Sequence, residues 1–146
     1  MNQKTNVLMI SVDELGRNHM EIGGDKVSMM PTLRYLAEHG KQFDNCYSEC
    51  PVCIPARRSL MTGLTPKTHG DRIYNDTLPM PQVTTLAQTF RDQGYQTYSV
   101  GKLHVYPQRD RIGFDDAYII EEGRYEFGEV DDYQRWLGEQ GFDNHQ

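Results

Sequence analysis

Cys53 and Arg57 stand four residues apart, one helical turn, in the stretch Cys50-Pro51-Val52-Cys53-Ile54-Pro55-Ala56-Arg57-Arg58-Ser59-Leu60-Met61-Thr62-Gly63. A thiol is a soft nucleophile and a guanidinium is a permanent cation that grips oxyanions, so the pair can hold an anion and attack it. The flanking residues predict a reactive turn running into a short helix. Pro55 lacks the N–H that a first helical turn can spare, and Gly63 suits a left-handed stop. Cys53 then falls at the helix start, where backbone N–H groups and the positive end of the dipole stabilise an anion. On these two residues alone the ordinary alternatives stay open: Cys53 as a small buried hydrophobe and Arg57 as a solvated cation.

Two further places carry groups that can do chemistry. The run Val7-Leu8-Met9-Ile10-Ser11-Val12 is nearly all apolar, the pattern of a parallel strand buried on both faces, and it ends at Asp13-Glu14. Ligands sit at the carboxyl ends of strands in an open α/β sheet, and hard carboxylate oxygens there suit Ca²⁺ or Mg²⁺. A helix cap or a solvated turn is the plainer alternative. The second place is Gly101-Lys102-Leu103-His104, which follows the strand-like Tyr95 to Val100. Lys102 and His104 are two apart, so an extended segment would turn both toward one face, at the sheet edge that carries Asp13. Surface charge is the alternative reading for that pair.

These groups need a scaffold, and the periodicity predicts one. Pro31 to Gly40 reads as a helix with Leu33, Leu36 and Ala37 on one face and His39 as a solvated cation near its end. Gln42 to Tyr47 reads as a short strand, and Leu64 to Gly70 as a loop with His69 fixing it. Val83, Leu86, Ala87 and Phe90 predict a helix over 83–93, stopped by Gly94. Gly113 to Tyr118 returns to the sheet edge, and a helix begins at Asp131 with Tyr133, Trp136 and Leu137 on one face. Alternating strands and helices define an α/β class: a mostly parallel sheet with helices on both faces.

Composition bounds the partners. With 146 residues, 37% of them hydrophobic and 25% charged, the chain is long enough for one modest core and is not a disordered tail. A net charge of −6 argues against a nucleic-acid partner held by bulk electrostatics. The N-terminal apolar run is too short for a signal sequence or a membrane span, which predicts a cytoplasmic protein with no membrane partner. Cys46, Cys50 and Cys53 are odd in number and clustered, unlike a secreted disulfide framework. Their C-x3-C-x2-C spacing resembles the iron–sulfur loop of radical S-adenosylmethionine enzymes, but Val52 replaces the usual aromatic and no glycine-rich cofactor segment follows a second strand.

Cys53-x-Pro55-x-Arg57 followed by Thr62-Gly63, with Asp13 after the first apolar run and Gly101-Lys102-x-His104 later, resembles the sulfatase family of the alkaline-phosphatase superfamily. The resemblance runs from Val7 to about Phe142 and implies that residues 1–146 form an N-terminal, incomplete portion of a sulfatase-like catalytic domain. It implies that Cys53 is oxidised to formylglycine (3-oxoalanine) by a formylglycine-generating or anaerobic sulfatase-maturating enzyme, and that the hydrated aldehyde is the nucleophile. It implies a divalent cation, Ca²⁺ first with Mg²⁺ or Mn²⁺ as alternatives, ligated by Asp13, Glu14 and the modified Cys53. The family usually has Asp where this chain has Glu14. Arg57 and Lys102 then stabilise the anionic transition state, and His104 takes a proton from the second hydroxyl. Asn75 matches a substrate-binding position, although an Asn in a Tyr-Asn-Asp turn also caps backbone. The implied activity is hydrolysis of a small-molecule or glycan sulfate ester. The alternatives are a phosphonate monoester or phosphodiester hydrolase of the same superfamily, and an iron–sulfur protein or non-catalytic remnant.

Overall fold

Pro31–His39 forms the first helix, α1, in a computed structural model that describes residues 4–121, 128 and 131–142. Pro31 takes the first helical position, where its missing N–H costs nothing. His39 is exposed at the other end, its Nδ1 2.9 Å from the Tyr35 carbonyl and its ring stacked on Tyr35. The chain divides into two units, Met1–Tyr47 and Ser48–Gln146. In the first, Glu21 ties two short 3-10 turns to α1: one carboxylate oxygen accepts the Met30 N–H at 3.2 Å and the other pairs with Arg34 at 3.4 Å.

The strand expected over Val7 to Val12 is not formed. Leu8 is 84% exposed and Ile10 74% exposed, and Gln42 to Tyr47 is likewise irregular. A strand exists through its ladder, and among the described residues 4–47 there is no strand to supply one. Apolar character alone predicted burial on two faces; the pairing partner it presumed is missing from this unit.

The second unit holds α2 (Cys53–Thr62), α3 (Pro66–His69), α4 (Leu86–Asp92), β1 (Tyr98–Gly101), β2 (Asp116–Ile119) and α5 (Asp132–Glu139). β1 and β2 pair in parallel with Tyr98 opposite Asp116 and Gly101 opposite Ile119, and residues 102–115 cross between them without a helix. Met61, Met80, Leu103, Val105, Ile112 and Ile119 form the core, with Phe114 and Ala117 packed against it. The core thus lies between α2 and the segment that follows β1.

Local chemistry explains where element ends depart from the periodicity. α4 starts three residues later than its apolar pattern, because the Thr85 hydroxyl caps it by accepting the Gln88 N–H while donating to the Ile112 carbonyl at 2.6 Å. β1 starts at Tyr98 rather than Tyr95 because Thr97 spends its N–H on the Asp115 carboxylate at 2.8 Å instead of on a ladder. That bond is the main reason the Asp115 carboxyl is held below the usual range. Residues 66–69, expected as loop, make one helical turn capped by Thr65. Asp131 caps α5 as its sequence predicts, accepting the Gln134 N–H at 2.8 Å.

Candidate active site

α2 begins at Cys53, as the sequence predicts, and Gly63 ends it with φ +67. Ile54, Pro55, Arg58 and Met61 form its buried stripe, which anchors the helix. Val52 offers no side-chain cap, and Pro55 sits inside the first turn. The N–H groups there are therefore left to other acceptors, the usual basis of anion binding at a helix start. Cys53 itself is half-buried and a free thiol.

The adjacent arginines divide their work. Arg58 is 3% exposed; its two terminal nitrogens donate to the Leu78 and Pro79 carbonyls at 2.6 and 2.7 Å, and its Nε lies 3.1 Å from the Asp71 carboxylate. Burial pulls its pKa down and Asp71 pushes it back up. Arg57, a hundred-degree step round the helix, is half-buried and donates from Nη1 to the Lys102 carbonyl at 2.6 Å. That bond fastens α2 to the end of β1. Arg57 and His104 line one cleft together with Ile54, Met61, Met80 and Val105.

After Gly101, whose φ of +108 ends β1, the backbone does not stay extended. His104 has φ +57, so Lys102 and His104 do not share a face by strand alternation as expected. Leu103 and His104 are instead both buried, and their consecutive N–H groups converge on one oxygen of Glu121, at 3.0 and 2.8 Å. The His104 Nε2 lies 3.3 Å from the Tyr74 hydroxyl, the rings meeting edge to face. Sequence reasoning missed Tyr74 and Glu121. Tyr74 had a signal, its place beside Asn75; an acidic residue in the run Glu121-Glu122 reads as surface. Asn75 is exposed, and its Oδ1 accepts from the Thr77 N–H and hydroxyl, both at 3.2 Å, the turn-capping alternative.

Ser59, His69 and Asp71 have the residue types of a hydrolytic triad but the wrong wiring. The Asp71 backbone N–H donates to His69 Nδ1 at 3.2 Å, so the ring proton is on Nε2, which faces Ser59 Oγ at 3.0 Å. His69 therefore has no lone pair to activate that hydroxyl. Burial, then the Arg58 charge, push the His69 imidazole below its usual range. A depressed histidine binds fewer protons folded than unfolded, so its contribution is full above pH 6.5, the ordinary value, and is lost as the pH falls toward the folded pKa. The melting temperature should decline on acidification from about pH 7 to about pH 5.5, and His69→Gln should flatten that decline over the same interval.

Asp13 and Glu14 occupy an exposed turn in the first unit, Glu14 with φ +58. Two adjacent hard carboxylates fit a Ca²⁺- or Mg²⁺-type cation in donor chemistry, but they are a minority of the six to eight oxygens that calcium takes (about that number in most sites). Within either unit, no three His, Cys, Asp or Glu side chains gather among the described residues. Cys46 is exposed, and the Cys50 thiol points to the Arg72 carbonyl at 3.7 Å.

A thiol at a helix start, a guanidinium one turn on, and the end of a parallel strand fastened to it lie together in an α/β chain. The sulfatase family model matches residues 5–144. The chain is 33% identical to an arylsulfatase of Clostridium perfringens over 93% of its length and 31% of that enzyme's, and 31% identical to a choline-sulfatase of Rhizobium meliloti over 90% of its length and 26% of that enzyme's. Human iduronate 2-sulfatase is 37% identical over 67% of this chain and 18% of its own length. The crystal structure of Ps i-CgsB shares the fold, with a TM-score of 0.67 at 24% identity, covering 90% of this chain and 32% of that one. The chain belongs to the sulfatase family. It spans about a third or less of the length of these relatives. Among the described residues no helix is long and apolar enough to cross a membrane.

Proposed function

We propose that the protein hydrolyses sulfate esters, with Cys53 as the source of its nucleophile. The observation that carries this is the Arg57 bond to the Lys102 carbonyl, which joins the Cys53 turn to the Lys102–His104 segment at 2.6 Å. The names of the relatives, arylsulfatase and choline-sulfatase among them, support the same class.

Each residue has a task that its chemistry suits. Arg57 and Lys102 bind the equatorial oxygens of the sulfuryl group, whose negative charge is shared among them in the transition state. The start of α2 adds backbone N–H donors to the same anion. His104 moves a proton at its Nε2, the nitrogen that faces the Tyr74 hydroxyl. Asn75, exposed beside Tyr74, offers its side-chain amide nitrogen to the substrate while its Oδ1 caps the turn. Oxidation of Cys53 to formylglycine would supply a hydrated aldehyde as nucleophile, and a divalent cation, Ca²⁺ foremost, for which Asp13, Glu14 and the modified Cys53 would be ligands, would supply charge neutralisation. The partners are then a small-molecule or glycan sulfate ester and a maturating enzyme.

Protein produced alongside a formylglycine-generating or anaerobic maturating enzyme should yield a Cys53 peptide that has lost its thiol and reacts with hydrazides. Cys46 and Cys50 should remain thiols, since Pro55 and Arg57 follow Cys53 at the motif's spacing and neither of the others has them. Mass spectrometry of the digested protein reads this directly. An intact Cys53 thiol in fully active protein would remove the proposed nucleophile.

A further inference from the structure

We propose that Glu121 is the positioning residue for His104: its buried carboxylate clamps two consecutive backbone N–H groups and so holds the imidazole against the Tyr74 hydroxyl. Glu121 is 3% exposed and lies two residues beyond the end of β2. In an extended strand, successive N–H groups point to opposite sides, so one oxygen cannot accept both. Here Oε1 accepts from Leu103 at 3.0 Å and from His104 at 2.8 Å. The backbone between those two N–H groups is therefore bent, and the dihedral that follows, the His104 φ of +57, is a strained one for a residue with a Cβ. Two hydrogen bonds to one buried side chain are suited to offset it, because an N–H left without a partner in the interior is costly.

The geometry also explains why the clamp must come from β2. Gly101 pairs with Ile119 in the parallel register, so the residues just past the two strand ends leave the sheet side by side. The Ile120 N–H still reaches the Gly101 carbonyl at 3.2 Å, which brings Glu121 beside Leu103 and His104. A side chain of glutamate length closes the remaining gap. Its consequence for turnover rests on the role proposed for His104, whereas the clamp itself can be read without turnover.

The experiment compares wild type, Glu121→Gln and Glu121→Asp by amide hydrogen exchange and by NMR cross-peaks between the His104 and Tyr74 rings. Gln keeps an acceptor oxygen at the same reach; Asp keeps the charge but is shorter by about 1.5 Å, one carbon–carbon bond. Glu121→Gln should retain protected Leu103 and His104 amides and the ring cross-peaks. Glu121→Asp should speed exchange at both amides by roughly ten- to hundredfold, the loss expected when a buried N–H is left without its acceptor, and should abolish the cross-peaks. The contact of the His69 ring with Ser59 should be unchanged in both variants, which separates local release from general loosening. Protected amides and an intact ring contact in Glu121→Asp would overturn the proposal. So would equal disturbance of the His69 contact, or loss of the ring contact in Glu121→Gln. Because no step uses turnover, failure of the clamp and failure of the sulfate-ester reading give different signals.

Discussion

Cys53→Ala in the matured protein is expected to lower kcat for an aryl sulfate by roughly four to six orders of magnitude, the scale seen when a covalent nucleophile is deleted. Alanine leaves Arg57, Lys102 and the N–H groups of α2 in place, so substrate affinity should change far less than turnover. The folded state should tolerate it, because Cys53 is half-buried and sits outside the core formed by Met61, Met80, Leu103, Val105, Ile112 and Ile119. Cys53→Ser is the more informative variant. A serine hydroxyl can attack sulfur, but the product has no second hydroxyl through which to eliminate sulfate, so sustained turnover should still be absent. Steady-state rates with melting temperatures alongside check both. Retention of more than about one hundredth of the wild-type kcat in Cys53→Ala would assign the nucleophile elsewhere.

The largest stability effect is expected next door. Arg58→Ala should cost roughly 3–5 kcal/mol, because it strands a buried anion rather than merely deleting a contact. The Asp71 side chain is 1% exposed and would lose its cation, while the Leu78 and Pro79 carbonyls would lose their donors. Against a total of about 5–15 kcal/mol for a typical domain, that is enough to depopulate the native state. Removing both charges should be milder than the sum of the single changes: Arg58→Met with Asp71→Leu leaves no unpaired ion, so the double variant should recover part of the loss. Urea midpoints for the four proteins test this. Arg57→Ala is the control; it should lower the midpoint less than Arg58→Ala and remove turnover, since Arg57 is half-buried whereas Arg58 is 3% exposed.

Arg57 and Arg58 also show what could be read before the fold was in view. The four-residue spacing of Cys53 and Arg57, the proline inside the first turn and the glycine stop are local features, and α2 follows them at both ends. α1 and α5 are local in the same way, through Pro31 and the Asp131 cap. Non-local features were not legible. Whether an arginine is a ligand clamp or a buried ion-pair partner depends on Asp71, Leu78 and Pro79, which no helical period reveals. The run Val7 to Val12 has the composition of a buried strand and is exposed, because a ladder needs a second strand. The Lys102–His104 segment departs from the extended form for a related reason: its Leu103 and His104 N–H groups bond to Glu121, seventeen residues from His104 in the sequence.

The central claim is that this site acts on sulfur esters. Arg57, Lys102 and a divalent cation would serve phosphorus chemistry equally, since both transition states place negative charge on equatorial oxygens. Those groups alone do not discriminate; the sulfatase names of the relatives favour sulfur, and a direct comparison tests it. The measurement is kcat/KM of the matured protein for nitrophenyl sulfate against the matching nitrophenyl phosphonate monoester, with Cys53→Ala as the blank. The account predicts a higher kcat/KM for the sulfate; a clear preference for the phosphonate would contradict it.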